Sequence, residues 1–385
     1  MKTRRVPAIF SSAAVWSRRL TSAPRVLAAM SAPSPLPTRY QLIVEYVGTA
    51  FHGSQRQPTR LSVQETLETA LAKLVPRGSR PVSYFSGRTD SGVHALGNVV
   101  HVDLLRTDKE GAALQPMAPE SVMAALNHFL PERCGVVAVR IVPSTFHARH
   151  SAVERSYVYS LRCPRAEQPD ASTPDMDGGH TSLVVRAQSC PSLMRRGWAS
   201  GLEAHRVLCI TDPLDVDAMR RAAAHLVGTL DFSAFRSKKC GAKSPVRTLT
   251  CVEVVEEPAS ALDGYHIECG RRISVRVVGR SFLHHQVRYL VAVLLEVGLG
   301  KMQSSMVAQL LKAKDCRETP PPAPAHGLYL VEVKYPPEAF RQGGGGPSAP
   351  AESDEDDWEA GVGDEDEDEP AVSPGVVGKK KRSRR

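Results

Sequence analysis

The stretch Ser86-Gly87-Arg88-Thr89-Asp90-Ser91-Gly92-Val93-His94-Ala95-Leu96-Gly97 constrains this chain more than any other. Three glycines in twelve residues, with Ser, Thr and Asp between them, require a tight loop whose backbone takes unusual dihedrals or passes close to another group. Behind it, Asn98 to Leu104 alternates Val100, Val102 and Leu104 with His101 and Asp103, the period of a strand. A rigid loop on a sheet therefore presents a guanidinium and a carboxylate two positions apart, Arg88 and Asp90. On spacing alone, Asp90 either bonds its own backbone in a turn or faces a ligand, and both readings stay open.

The rest of the chain supplies strands and helices in two similar rounds. Tyr40 to Val47 alternates as a strand. Ser62 and Glu65 then have the spacing of a capping box, and Val63, Leu67, Leu71 and Leu74 mark a helical face that Pro76 ends. A weaker helix spans Pro119 to Leu130, and strands are expected at Val136 to Val142 and Ser156 to Leu161. Between about 165 and 206 the pattern dissolves into Pro, Asp, Ser, Gly and scattered Arg, a long insertion or crossover. A third helix runs from Asp215 to Val227, with Gly228 as its stop. Phe232 to Arg236 and Ser244 to Arg247 are loop-like, and strands are expected at 249–255, 264–269 and 273–278. Ser281 to Val297 is the most apolar helix, and Gly327 to Val333 is a final strand. These elements predict an α+β fold: two similar halves share a mostly antiparallel sheet, with helices packed on one face and a cleft between the halves. The expected divisions are 40–164 and 207–340, joined through 165–206.

Charge is concentrated at the ends. The first 39 residues carry Lys2, six arginines and no acid, the composition of a mitochondrial transit peptide, with Met30 as an internal start that would delete most of it. Residues 341–385 hold an acidic block and a closing Lys379-Lys380-Lys381-Arg382-Ser383-Arg384-Arg385, which does not fold and which offers a nucleus or the cytoplasm as the alternative address. The formal net charge of +8 permits a polyanionic partner without proving one. Eight cysteines stand singly with no Cys-x-x-Cys pair, which argues against a structural zinc site and a secreted disulfide scaffold. Charges interrupt every apolar run before about 18 residues, so no membrane span is expected.

Three features could carry chemistry. Arg288 is followed by Tyr289-Leu290-Val291-Ala292-Val293-Leu294-Leu295, so its guanidinium must reach water or pair with a carboxylate; Asp90 is a candidate, ideally through a bidentate contact. Tyr157 shares a strand face with Tyr159 and Leu161 and serves either the core or a flat ligand. His147 with His150, and the pair His284-His285, lack a full set of spaced metal ligands, so no metal is expected. A phosphate-binding glycine loop is missing its Lys-Ser/Thr ending at Gly87 to Gly92, and no nucleophile elbow occurs.

These residues resemble a known family. Gly87-Arg88-Thr89-Asp90-Ser91-Gly92-Val93-His94-Ala95 is similar to the signature of the TruA family of tRNA pseudouridine synthases. Further similar segments follow in family order: Tyr46 to Gly53 with Val63-Gln64, Phe146 to Arg149 with Arg155 to Tyr159, Ser244 to Arg247, Phe282 to Arg288, and Ala323 to Leu330. The resemblance covers roughly residues 40–336 apart from 165–206. It implies that Asp90 is the catalytic carboxylate, Arg288 the partner that holds it, and Tyr157 the ring on the target uracil. Arg88 would contact RNA beside the displaced base, and Leu328 would add an apolar wall. It also implies a homodimer that needs no metal or cofactor and acts on tRNA in a basic cleft, usually at the anticodon arm. With the N-terminal segment, the expected substrate is mitochondrial tRNA, with mitochondrial mRNA a further RNA partner. The alternative is an RNA-binding or RNA-folding protein that keeps the fold without turnover. Three positions depart from the family: Ser54 replaces Trp, Val47 replaces Asp and Ser91 replaces Ala.

Overall fold

The computed structural model describes residues 36–110, 112–164, 205–258 and 271–341. The segments expected over 1–39, 165–206 and 341–385, and the strand expected at 264–269, lie wholly or mostly outside the described residues.

In chain order the elements are β1 (Thr38–Tyr46), α1 (Val63–Leu71), β2 (Ser83–Phe85), β3 (His94–Leu104), α2 (Pro119–Phe129), β4 (Cys134–Ile141), β5 (Glu154–Cys163) and β6 (Leu208–Cys209). There follow α3 (Val216–Ala224), β7 (Gly228–Asp231), β8 (Val246–Glu257), β9 (Arg271–Gly279), α4 (Gln286–Gly298), α5 (Met306–Ala313) and β10 (Leu328–Lys334). The helices start where their side chains cap them. Ser62 accepts a hydrogen bond from the Glu65 amide at 3.2 Å and Asp215 one from the Ala218 amide at 2.8 Å. In α1, Val63, Leu67 and Leu71 are fully buried at the helical spacing that their sequence announces.

Among the described residues the strands join one sheet in the order β4-β1-β3-β10-β5-β9-β8-β7, with β2 added to β3 and β6 to β5. Their pairings are antiparallel except β3 with β10 and β5 with β6, so the α+β class with a mostly antiparallel sheet holds. On one face Tyr40, Leu42 and Val44 lie opposite Val102, Val100 and Asn98, and in the other half Tyr157 and Tyr159 lie opposite Val277 and Val275. Helix α4 is buried almost all round, with Leu290, Val291, Val293 and Leu294 at 0% exposure. Its apolarity follows from that position.

Several boundaries differ from expectation. β3 begins at His94, four residues early, because β10 returns from far along the chain to pair Tyr329 with His94 and Leu330 with Ala95. Gly97 permits that approach: a Cβ there would sit 2.7 Å from the Val331 carbonyl oxygen. Val246 and Arg247, expected in a loop, open β8 because β7 pairs with them, and Gly228 starts β7 at φ +118°. The helix expected at Ser281 begins at Gln286, and α5 carried too short a pattern to be expected at all. β5 is continuous in sequence with the first half, yet it bonds to β9 and β10 of the second.

The seam between β3 and β10 is held by His94. Its Nδ1 accepts from the Gly48 amide at 3.1 Å, so its Nε2–H donates toward the carbonyls of His205 and His326, at 3.0 and 3.1 Å. The ring stacks on Tyr329 at 4.6 Å. Burial drives the imidazole pKa down to about 4 against an ordinary value of 6.5. The unfolded chain therefore binds this proton first as pH falls. The stability that His94 contributes is complete above pH 6.5 and is lost progressively down to about pH 4, on the order of 3 kcal/mol in total. Urea unfolding at pH 7.5 and 4.5 checks this: a His94→Gln chain, weaker at pH 7.5, should lose less on acidification than the wild type. Parallel pH profiles would refute it.

Candidate active site

Asp90 lies at the tip of the loop that joins β2 to β3. The loop is pinned from several directions. Ser86 starts it with an amide bond to the Val99 carbonyl at 2.7 Å and a hydroxyl bond to Asn98 Oδ1 at 2.9 Å. Asn98 Nδ2 donates to the Tyr46 hydroxyl and to the Gly87 carbonyl, and Tyr46 shares a 2.8 Å hydrogen bond with the Thr89 hydroxyl. The Thr89 amide donates to Ser54 Oγ at 2.8 Å, and the Ser54 amide returns a bond to the Thr89 carbonyl at 3.0 Å. Gly92 then turns the chain at φ +80°, a conformation that glycine adopts without cost. Fully buried polar groups thus spend their hydrogen bonds fixing the residue before Asp90.

The second half of the site comes from the start of α4. Arg288 is buried, and its Nε donates to the Ala323 carbonyl at 2.7 Å. Its Nη1 faces Asp90 Oδ2 at 3.8 Å. The pairing expected from the sequence is therefore present, but the expected bidentate contact is not: the Ala323 carbonyl takes the guanidinium's short bond, and the carboxylate is met at ion-pair range. His284 and His285 complete the ring around the carboxylate. His284 Nε2 lies 3.6 Å from Oδ1, and His285 Nε2 lies 3.5 Å from Oδ2 and 3.4 Å from Arg288 Nη1. His285 holds a left-handed backbone at φ 61°, which costs a side-chain-bearing residue about 1–2 kcal/mol. Backbone strain of this kind concentrates at functional sites.

All three separations exceed a hydrogen bond. The carboxylate, 22% exposed, is surrounded by groups that favour its charge without being tied off by them. An anion held this way, at the join of two half-sheets, can act on a positively polarised centre of a bound ligand.

The other expected site residues divide. Tyr157, in β5, is buried with its ring edge-on to Phe282 at 5.0 Å. Burial pushes its phenol up to about 12, and the neighbouring Asp90 charge adds to the rise, while Arg155 opposes it. Arg88 is exposed, two residues before Asp90. Leu328 is buried, but its register partner is Tyr159; the residue opposite Tyr157 is Leu330.

Sequence reasoning missed two contributors. The histidine pair was legible only as an incomplete metal motif, because its partner Asp90 is 194 positions from His284; the signal was its place three and four residues before Arg288, just ahead of α4. Arg155 is the other. Its guanidinium donates to the Ser86 carbonyl at 2.6 and 3.1 Å, to the Arg149 carbonyl at 3.0 Å and to the Arg280 carbonyl. It thereby ties the Asp90 loop to two other arginine-bearing segments.

The sequence pattern of the family described as "tRNA pseudouridine synthase" matches residues 42–151 and 222–336. A tRNA pseudouridine synthase A of Paramagnetospirillum magneticum is 37% identical over 306 residues, which span 79% of this chain and 98% of that protein. The tRNA pseudouridine synthase A of Cereibacter sphaeroides is 39% identical over 303 residues, 78% of this chain and 99% of that protein.

Ser54, which departs from the family's usual Trp, has a specific task here as the acceptor for the Thr89 amide. A Ser54→Ala change leaves that buried amide without its partner and should cost about 1–3 kcal/mol of unfolding free energy. A urea titration measures it. Restoration by Ser54→Thr, which keeps the hydroxyl, is the expected control; equal stability of Ala and wild type would contradict the assignment.

Proposed function

This chain belongs to the tRNA pseudouridine synthase family, and on that premise we propose that Asp90 is the carboxylate that drives isomerisation of uridine to pseudouridine. The enzyme is an isomerase that acts on tRNA. The observation that carries the residue assignment is the bracketing of Asp90 by Arg288, His284 and His285, which come from the other end of the sequence.

The reaction breaks the bond from N1 of uracil to C1′ of ribose, turns the base and joins C5 to C1′; C5 then gives up its proton and N1 gains one, so the product is an isomer. A base stacked within folded RNA must be swung out before this bond can be reached. Arg88, exposed beside the pinned loop, contacts the backbone from which the base leaves. Tyr157 packs on the extruded uracil, and its raised pKa keeps the phenol protonated through the reaction. Leu328 adds an apolar wall through the β10 end of the site. Arg288 keeps Asp90 ionised and aimed; the Ala323 carbonyl fixes Arg288 in turn. Partial exclusion of water strengthens the field of the carboxylate at C1′, where positive charge develops.

Finer parts of the reading rest on the resemblance and on composition: a uridine in the anticodon arm as target, mitochondrial tRNA with mitochondrial mRNA as further substrate, and a homodimer as the working unit. The acid-free first 39 residues support the mitochondrial address. Imaging of a tagged chain that lacks them tests it, with loss of mitochondrial signal expected and retention counting against it.

Asp90→Asn preserves the shape of the side chain and removes its charge. Pseudouridine formation on a tRNA transcript should fall below detection, while the affinity for that transcript changes less than about threefold, since phosphate contacts dominate RNA affinity. A variant as active as the wild type would remove Asp90 from its role.

A further inference from the structure

We propose that Asp90, His284 and His285 form a zinc site, and that Zn²⁺ bound there switches the enzyme off by occupying the carboxylate. The second half of this proposal rests on the role given to Asp90 above; the first half does not.

One oxygen or nitrogen atom from each of the three residues lies within 4.8 Å of the others. The two Nε2–carboxylate separations are 3.6 and 3.5 Å. Zinc–ligand bonds of about 2.0–2.1 Å at tetrahedral angles place neighbouring ligand atoms about 3.3–3.4 Å apart. Each histidine–carboxylate separation, one to Oδ1 and the other to Oδ2, thus lies within a few tenths of an ångström of the spacing between zinc ligands. The rings lie 3.9 Å apart between centroids, and the left-handed backbone of His285 turns consecutive histidines toward one point. Two imidazoles with one carboxylate suit Zn²⁺, whereas Mg²⁺ and Ca²⁺ prefer oxygen throughout. Partial exposure of all three leaves the fourth position for water.

Arg288 opposes this. Its Nη1, 3.8 Å from Asp90 Oδ2 and 3.4 Å from His285 Nε2, is a fixed positive charge beside the incoming dication. The site is therefore a moderate binder that the enzyme's own guanidinium weakens, and it loads only when zinc is abundant. Zinc and the reacting ribose then compete for the same anion.

The test uses the purified full chain after chelator treatment, with Co²⁺ as a spectroscopic probe and Zn²⁺ added alone, without RNA. Co²⁺ should develop the intense visible absorption of a four-coordinate site, which Zn²⁺ then bleaches. His284→Gln and His285→Gln, each checked for folding by thermal melt, should weaken Zn²⁺ by at least about tenfold. Arg288→Gln should tighten it, an outcome that nonspecific binding does not produce. In activity assays Zn²⁺ should inhibit competitively with tRNA, and chelator should restore turnover. A pale six-coordinate spectrum, or Zn²⁺ affinity unchanged in both histidine variants, overturns the site; inhibition that excess tRNA does not relieve overturns its mode of action. If instead Asp90→Asn stays active while the cobalt spectrum of the wild type stands, the role of Asp90 fails and the metal site survives.

Discussion

A guanidinium sits inside the most apolar helix of this protein, and the site is built around the need to satisfy it. Arg288 cannot reach bulk water from the buried start of α4. An unpaired charge there would be too costly to keep. Two groups from separate parts of the chain meet the need: the Ala323 carbonyl by a short hydrogen bond, and Asp90 by charge. The same interaction that makes α4 tolerable thus brings together the glycine loop, the first turn of the helix and the segment that leads into β10. The carboxylate gains direction as a by-product of the helix's need for a counter-charge.

A second buried cation extends the arrangement. Arg155 is also nearly inaccessible, and backbone carbonyls from three segments share its hydrogen bonds. Burial pulls its pKa down, while the neighbouring Tyr157 and Tyr335 side chains favour its charge. Ser54, Asn98 and Arg155 act on the backbone that carries Asp90, and Tyr46 holds the Thr89 hydroxyl. The loop is consequently pinned at its base and carries an exposed Arg88 and, two residues on, Asp90 at the join.

How much of this could be read from the sequence depends on the range of the cause. The capped helices and alternating strands were legible because Ser62, Asp215 and the spacing of Val63, Leu67 and Leu71 act within one or two turns. Asp90 and Arg288 were legible as chemistry because a carboxylate in a glycine loop and a guanidinium in an apolar run are locally out of place. The early start of β3 at His94 and the strand character of Val246 were not, because each depends on a partner strand far along the chain. His284 and His285 were visible as a pair but not as neighbours of Asp90, since nothing local says where a histidine side chain points. The bidentate pairing failed for the same reason: the competing acceptor, the Ala323 carbonyl, is a backbone atom with no signature in sequence.

The strand order carries a consequence for how the protein is made. β10 is the last strand of the sheet to leave the ribosome, yet it fills the middle of it, between β3 and β5. Until it arrives, the nascent chain holds two partial sheets with unpaired inner edges, the kind of surface that other chains capture. The residues just before β10 also anchor Arg288, so the sheet and the active centre are completed in one late event. A polypeptide released before Ala323 would lose both together, and a quality-control system that senses exposed strand edges would at the same time be sensing catalytic incompetence.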